Sequence, residues 1–144
     1  MQNNKEERLQ MEIAVKFSRL FPNKKGQLFH VSNERNNKIQ AFKARAIGIV
    51  NGVADFVYFS KKFNVATELK LPNSRHKVVH IKQQLWWGEV WEKQGGVWRL
   101  CTTVDEAMSC YEGNLKGYTT KDVKKLLKEC KTKTIKIEQW QNKK

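Results

Sequence analysis

Two β-prone runs separated by only four residues constrain the fold of this chain more than any other sequence feature. Residues 53–59 and 64–71 are rich in valine, aromatic and other strand-forming residues, and residues 60–63 form a short connection between them. If the two runs pair across this connection, Asp55 lies directly opposite Glu68. The sequence therefore predicts a β-hairpin with two carboxyl groups at one position of its ladder.

Two opposed carboxylates repel each other unless a cation or a proton lies between them. Lys70 follows Glu68 on the same strand face and offsets only part of that repulsion. A divalent cation with oxygen ligands would stabilise the arrangement, and phosphodiester hydrolysis uses such a cation. A solvated ion pair between Glu68 and Lys70 is the alternative interpretation. Similar acidic-x-Lys triplets at 122–124 and 129–131 fall on a predicted helix, where residues two apart do not share a face.

Helical and strand-like periods alternate along the chain and predict an α/β fold with a mixed sheet flanked by helices. Thr103 and Glu106 have the spacing of a capping box at one helix start. Helices are predicted at residues 6–21, 38–47, 81–93, 104–111 and from about 120, and strands at 27–31, 53–59, 64–71 and 97–101.

Basic residues outnumber acidic residues two to one. Lysine and arginine number 28 against 14 aspartate and glutamate residues, which gives a net charge of +14. Such a surplus favours a polyanionic partner, most often nucleic acid. After Gly113 there are ten lysines and three acidic residues. We therefore divide the chain into a domain at 1–113 and a basic C-terminal helical extension at 114–144, which either docks on the domain with its lysines outward or forms a mobile arm.

Several protein classes are excluded by what the sequence lacks. No apolar run approaches the ~18 residues of a membrane span, and the polar start has no apolar signal region. The three cysteines are odd in number and have no CxxC spacing, which argues against a disulfide framework or a zinc finger. We expect a cytoplasmic protein with free thiols.

Short motifs along residues 6–112 resemble, in order and spacing, those of the VRR-NUC family, the virus-type replication-repair nucleases of the PD-(D/E)xK superfamily. Any one motif is common by chance, and their order is what gives the resemblance its weight. The motifs are Glu6-x-x-x-Gln10, the segment His30-Val31-Ser32-Asn33-Glu34, the Gly-x-x-x-Gly-Val-Ala-Asp segment from Gly48 to Asp55, Glu68-Leu69-Lys70, and Gln84 with Trp87 followed by Gly95-Gly96.

The resemblance implies a restriction-endonuclease-like core and a metal-dependent DNA endonuclease that uses Mg²⁺ or Mn²⁺. The implied substrates are branched, flap or Holliday-junction DNA in replication, repair or recombination. The implied metal ligands are Glu6, Asp55, Glu68 and the backbone carbonyl of Leu69, and the implied catalytic residues are Asp55, Glu68, Lys70 and Gln84. Glu7 or Glu12 remains an alternative to Glu6, and Gln83 an alternative to Gln84.

Basic residues that flank the implied site are candidates for phosphate contacts, namely Lys43, Arg45, Arg75 and Lys77. His80 near the start of the glutamine helix is interpreted as a surface histidine. We further expect a homodimer, because one site per chain cuts one strand, and an intracellular protein of bacterial or phage type that associates with the nucleoid. The rival hypothesis is a basic module that binds nucleic acid without cutting it.

Overall fold

The protein is described here by a computed structural model. It describes residues 2–31, 42–43, 45–48 and 50–140. The helices are α1 (Gln2–Leu20), α2 (Val78–Lys93), α3 (Val104–Tyr111) and α4 (Thr120–Glu129), and a 3₁₀ turn lies at Pro22–Lys24. The strands are β1 (Leu28–His30), β2 (Phe56–Phe59), β3 (Asn64–Leu69), β4 (Ser74–Lys77), β5 (Val97–Cys101) and β6 (Thr134–Ile137).

A four-stranded mixed sheet forms the centre of the fold, in the order β1-β2-β3-β5. β2 runs antiparallel to both β1 and β3, whereas β3 and β5 run parallel. The chain between β3 and β5 includes α2, which supplies the crossover that a parallel pair requires. Helices pack on both faces of the sheet. The predicted α/β fold with a mixed, helix-flanked sheet is therefore confirmed, and it is compatible with a restriction-endonuclease-like core.

β2 and β3 pair in the register that the sequence predicts. Phe56 lies opposite Thr67, and residues 60–63 form the connection. One further step of the same ladder brings Asp55 to the position opposite Glu68. The alternation of side chains and the length of the connection were sufficient to predict this register.

β3 is buried on both faces because it lies inside the sheet between two helical layers. Val65 and Leu69 face α1 and α3 in one apolar cluster. Ala66 belongs to a second cluster with α2 and α4. Glu68 and Lys70 occupy alternate positions after Ala66, so they share its side of the sheet. The two ionisable groups therefore lie under α2, at the carboxyl end of β3.

The helix that covers this side packs close to the sheet. Gly88 of α2 is buried, and a Cβ atom at this position would lie 2.8 Å from the ring of Trp98. Trp98 on β5 is itself fully buried. The absence of a side chain at Gly88 thus allows the helix to rest on the indole ring.

The start of α3 agrees only partly with the predicted capping box. The Thr103 side chain accepts a hydrogen bond from the Glu106 backbone N–H, as expected. The Glu106 carboxylate instead accepts hydrogen bonds from the backbone N–H and the hydroxyl of Thr102. The carboxylate therefore fixes the end of β5 to α3 rather than capping the helix start.

A second, two-stranded sheet is absent from the sequence prediction. β4 pairs with β6 in antiparallel register, and Asn73 precedes β4 with a positive φ of 62°. The strand predicted at 64–71 ends at Leu69 instead, and no strand was predicted at 74–77 or 134–137. The Ser-Arg-His-Lys sequence of β4 has no apolar residue by which a strand could be recognised.

The chain after Gly113 packs into the same core. Tyr118 forms both backbone hydrogen bonds of a bridge with Leu100 of β5. Val123 of α4 is 1% exposed, and β6 contributes Ile135 and Ile137 to the cluster under α2. The segment thus contains a strand in addition to the predicted helix. Of the two alternatives for the extension, residues 114–140 follow the one in which it docks on the domain with its lysines outward.

Half of the helix predicted at 38–47 lies outside the described residues. Residues 42, 43, 45 and 46 are helical, and 38–41 and 44 are not described. No helix within the described ranges is long and apolar enough to cross a membrane.

Candidate active site

Asp55 is held at the edge of the sheet by its own backbone and side chain. Its carbonyl oxygen accepts a 2.8 Å hydrogen bond from the Val31 backbone N–H and lies 2.8 Å from Nδ1 of His30. Its carboxylate oxygen Oδ2 accepts a 2.8 Å hydrogen bond from the backbone N–H of Leu69. The carboxyl group is therefore fixed against the end of β3.

The turn before Asp55 has no room for a side chain. Gly52 has a φ of +87°, and a Cβ atom there would lie 2.7 Å from the backbone oxygen of Gln83 in α2. Both the positive φ and the close approach require glycine. This contact sets the distance between the segment that ends at Asp55 and the helix that bears Gln84.

Glu68 is a buried carboxyl group, with 2% of its surface exposed. Burial raises its pKa well above the ordinary value, chiefly because the charged form loses its hydration. The negative charge of Asp55 and a hydrogen bond with the Asp55 carboxyl raise this pKa further, and the charge of Lys70 lowers it. The two carboxyl groups predicted to converge do so.

Lys70 lies beside this pair. Its Nζ atom is 4.0 Å from Oε2 of Glu68, and its side chain is only 11% exposed. Its backbone N–H donates a 3.0 Å hydrogen bond to the carbonyl of Cys101, which extends the parallel pairing past the end of β3. The ammonium group is thus placed next to the carboxyls by the sheet itself.

Glu6 is the first-helix acid that reaches the site. It lies on α1 and is partly buried, and desolvation raises its pKa. The charge of Lys70 lowers this pKa and that of Asp55 raises it, so Glu6 lies within electrostatic range of both groups. Glu7 and Glu12 are exposed and line surface grooves along α1. The structure therefore favours Glu6 among the three alternatives.

Gln84 rather than Gln83 lies on the sheet-facing side of α2. Its neighbours on that side, Ile81 and Leu85, are buried, whereas Gln83 is exposed. Oε1 of Gln84 is buried and has no hydrogen-bond donor among the described residues. An amide oxygen in this position is available to accept a bond from a ligand.

Unpartnered buried oxygens provide a test of whether a cation fits the site. Oε1 of Glu68 is also buried without a donor in the described part of the chain. Together with Asp55 it supplies carboxylate oxygens of the kind that Mg²⁺ and Mn²⁺ prefer. Within that part, no three carboxylate, imidazole or thiol groups already lie close enough to hold a metal ion. The donor set therefore fits a divalent cation if carbonyl and amide oxygens such as that of Leu69 complete it.

His76 is a neighbour of the site that sequence reasoning missed. It is partly buried on β4, and its Nε2 atom lies 3.4 Å from the carbonyl oxygen of Leu71. Burial lowers its pKa, the charge of Lys70 lowers it further, and the Leu71 carbonyl raises it. His80, the histidine considered from the sequence, is exposed. Only the alternation along β4, which was not predicted, would have singled out His76.

The basic residues predicted to contact phosphate fall into two groups. Arg75 and Lys77 are exposed on β4, which follows Lys70 closely in the chain. Lys43 and Arg45 are exposed in the short helical stretch near residue 45. In the described part of the chain, no hydrogen bond or ion pair joins these last two to the carboxyl groups.

Comparison of the chain with protein-family models, with curated proteins and with solved structures finds no match in any of the three. The resemblance to VRR-NUC nucleases therefore remains a prediction from the motifs quoted above.

Proposed function

We propose that this protein is a metal-dependent endonuclease that hydrolyses phosphodiester bonds in DNA. The observation that supports the proposal is the convergence of Asp55 and Glu68 at the carboxyl end of β3, with Nζ of Lys70 4.0 Å from Glu68. A buried acid with a raised pKa beside a lysine, as Glu68 is here, is typical of catalytic sites.

The electrostatics of the pair support a bound cation. Ionising both carboxyl groups costs free energy, because they are adjacent and one of them is fully buried. Lys70 offsets part of this cost, and a divalent ion would offset the rest. When bound, Mg²⁺ or Mn²⁺ would polarise the scissile phosphate and lower the pKa of an attacking water. Asp55, Glu68 and the Leu69 carbonyl would hold that ion, with Glu6 at the edge of the site.

The remaining side chains act on the substrate rather than on the ion. The Lys70 ammonium is positioned to stabilise negative charge that develops on the phosphate or to orient water. Gln84 has a buried amide oxygen free to accept a hydrogen bond from water at the same place. Because both are held on packed elements, they need little rearrangement when substrate binds.

The choice of DNA as substrate rests on charge and on the family resemblance. A net charge of +14 favours binding to a polyanion and does not distinguish DNA from RNA. The VRR-NUC resemblance adds the preference for branched, flap or junction DNA, with a role in replication, repair or recombination. The expected homodimer rests on the one proposed site per chain, and light scattering that returned a monomer mass with and without DNA would contradict it.

The direct experiment is cleavage of labelled duplex, flap and four-way-junction DNA with Mg²⁺ or Mn²⁺. We expect cleavage by the wild type and none by Glu68→Gln, which keeps the shape of the side chain and removes its charge. Glu12→Gln is the matched control, because Glu12 is an exposed acid on α1, and should cleave like the wild type. Cleavage that persists in Glu68→Gln would contradict the site assignment.

A binding module without hydrolysis is the second candidate. It is favoured by the excess of basic residues and by the fact that, among the described residues, three ionisable ligands do not already cluster. This candidate predicts salt-sensitive DNA binding by the wild type and Glu68→Gln alike, with no cleavage of any substrate under either metal. Metal-dependent cleavage abolished by Glu68→Gln would exclude it.

A further inference from the structure

The two-stranded sheet of β4 and β6 has one basic and one buried face. Arg75 pairs with Lys136 in its register, and Lys77 with Thr134. The exposed positions of the two strands are Arg75, Lys77 and Lys136, whereas Ile135 and its neighbours on the other face are covered. Two lysines in the turn before β6, Lys131 and Lys133, are also exposed. We call these five cations, Arg75, Lys77, Lys131, Lys133 and Lys136, the basic ribbon.

Among the described residues, no ion pair joins a cation of the basic ribbon to an acid. Residues 70–88 contain no aspartate or glutamate, and neither do residues 130–137. The nearest acids in sequence on the β6 side, Glu129 and Glu138, lie outside the paired strands. The outward face of the two strands also lacks aromatic or aliphatic side chains, which a membrane-binding surface would need.

Backbone hydrogen bonds hold the two strands of the ribbon together. The pairing extends past both strands, since Asn73 N–H donates to the Ile137 carbonyl at 2.8 Å and Val78 N–H donates to the Lys133 carbonyl at 2.9 Å. Nη1 of Arg75 donates a 3.2 Å hydrogen bond to the Thr134 hydroxyl. The guanidinium group is therefore oriented before any ligand binds, which lowers the entropic cost of binding.

The ribbon begins next to the acid pair. β4 starts four residues after Lys70, and the opposite face of β4 presents His76 within electrostatic range of the Lys70 ammonium. β4 therefore connects the site to the ribbon, since its inner face lies toward Lys70 and its outer face carries Arg75 and Lys77. The far end of β3, at Asn64, carries a separate basic pair, Lys61 and Lys62.

We propose that the basic ribbon binds the phosphate backbone of a double-stranded DNA arm beside the scissile bond, so that the chain after Gly113 supplies part of the substrate-binding surface. This inference rests on the proposed function for the identity of the polyanion. Phosphate contacts of this kind position the substrate and do not read its sequence.

The test is the salt dependence of binding to a short fluorescent DNA duplex, measured by anisotropy without divalent ions. Each phosphate contact contributes about 0.9 to the slope of log affinity against log salt for duplex DNA. The variant with Arg75→Ala and Lys136→Ala should flatten the slope by about 1.8 and weaken binding. The control with Lys61→Ala and Lys62→Ala removes the same charge at the other end of β3 and should leave the slope unchanged.

The outcomes separate this inference from the nuclease proposal. Equal slopes for the ribbon variant and the wild type, or equal losses in both double variants, would overturn the ribbon as the binding surface. A flattened slope in the ribbon variant alone, together with no cleavage by the wild type, would support the ribbon and contradict the nuclease. Cleavage by the wild type, together with an unchanged slope in the ribbon variant, would support the nuclease and contradict the ribbon. Circular dichroism of each variant checks that the exposed substitutions leave the fold intact.

Discussion

The backbone N–H of Leu69 donates a 2.8 Å hydrogen bond to Oδ2 of Asp55. The bond connects the last residue of β3 to the carboxyl group of the residue that precedes β2. Because Leu69 is completely buried, the bond serves the fold as well as the site.

Asp55→Asn and Asp55→Ala should separate these two roles. An asparagine can still accept the Leu69 hydrogen bond, so we expect a folded protein without cleavage activity. Alanine leaves a buried N–H without an acceptor, which costs about 1–3 kcal/mol of unfolding free energy. Urea denaturation of both variants measures this difference. Equal stability of the two variants would show that the hydrogen bond contributes nothing to folding.

The raised pKa of Glu68 predicts how stability depends on pH without divalent ions. The folded protein holds the Glu68 proton more tightly than the unfolded chain. The unfolding free energy should therefore fall as pH rises from the ordinary value of 4.5 through the raised pKa. Glu6 and Glu106 have raised pKa values too and act in the same direction. The contribution of Glu68 is therefore measured as the difference in unfolding free energy between the wild type and Glu68→Gln. We expect Glu68→Gln to be the more stable of the two at neutral pH, by about 1 kcal/mol. Urea denaturation across a pH series measures it, and parallel curves for the two proteins would contradict the prediction.

Divalent ions should stabilise the wild type and not Glu68→Gln. An ion that binds only the folded state stabilises it by about 2.7 kcal/mol at one hundred times its dissociation constant. Thermal melting with increasing Mn²⁺ or Mg²⁺ measures this effect without any nuclease assay. Glu12→Gln is the control, and its melting temperature should rise as in the wild type. An equal rise in Glu68→Gln would place the ion elsewhere.

Gly52→Ala should disrupt the site more than a matched glycine substitution. The added methyl group would lie 2.7 Å from the Gln83 backbone oxygen, so the turn before Asp55 must move away from α2. Gly26 has a similar positive φ, and a Cβ atom there would have nothing within 4 Å. Gly26→Ala should therefore cost only the backbone strain, about 1–2 kcal/mol of stability. We expect a larger loss of stability and of cleavage in Gly52→Ala. Equal stability losses would mean that the contact with α2 is unimportant.

Residues after Gly113 should be required for folding. Deleting 114–144 removes Val123, Ile135 and Ile137 from the core, so the truncated chain should lose its cooperative thermal transition. A subtler test is Ile137→Ala, which should cost about 2–5 kcal/mol. Val79→Ala is the control, since Val79 is 66% exposed, and should change stability by at most about 0.5 kcal/mol. A truncated chain that melts like the wild type would contradict the integrated core.

The local part of the site was predictable from sequence. Asp55 and Glu68 are separated by a short connection, and alternation along each strand fixes which side chains meet. Glu6 required the family motif, because nothing in the helix pattern distinguishes it from Glu7 or Glu12. Its place in the site follows from how α1 crosses the end of the sheet, which is a tertiary relationship.

The long-range part was not predictable. β4 and β6 are separated by the whole of α2, β5, α3 and α4, and the polar strand β4 gives no periodic signal of its own. Without that pairing, neither the inward orientation of His76 nor the outward orientation of Lys136 follows from the sequence. The choice between Gln83 and Gln84 similarly depends on the rotation of α2, which is seen only once Ile81, Leu85 and Gly88 are found buried.

The burial of β3 on both faces restricts how this chain can vary in length. An insertion or deletion of one residue within β3 would turn Glu68 and Lys70 into the apolar layer beside Phe17 and bring Leu69 under α2. Burying charged groups in that layer would cost more free energy than the net stability of the domain. Viable length changes should therefore be confined to surface connections, and β3 should tolerate only replacement of one residue by another.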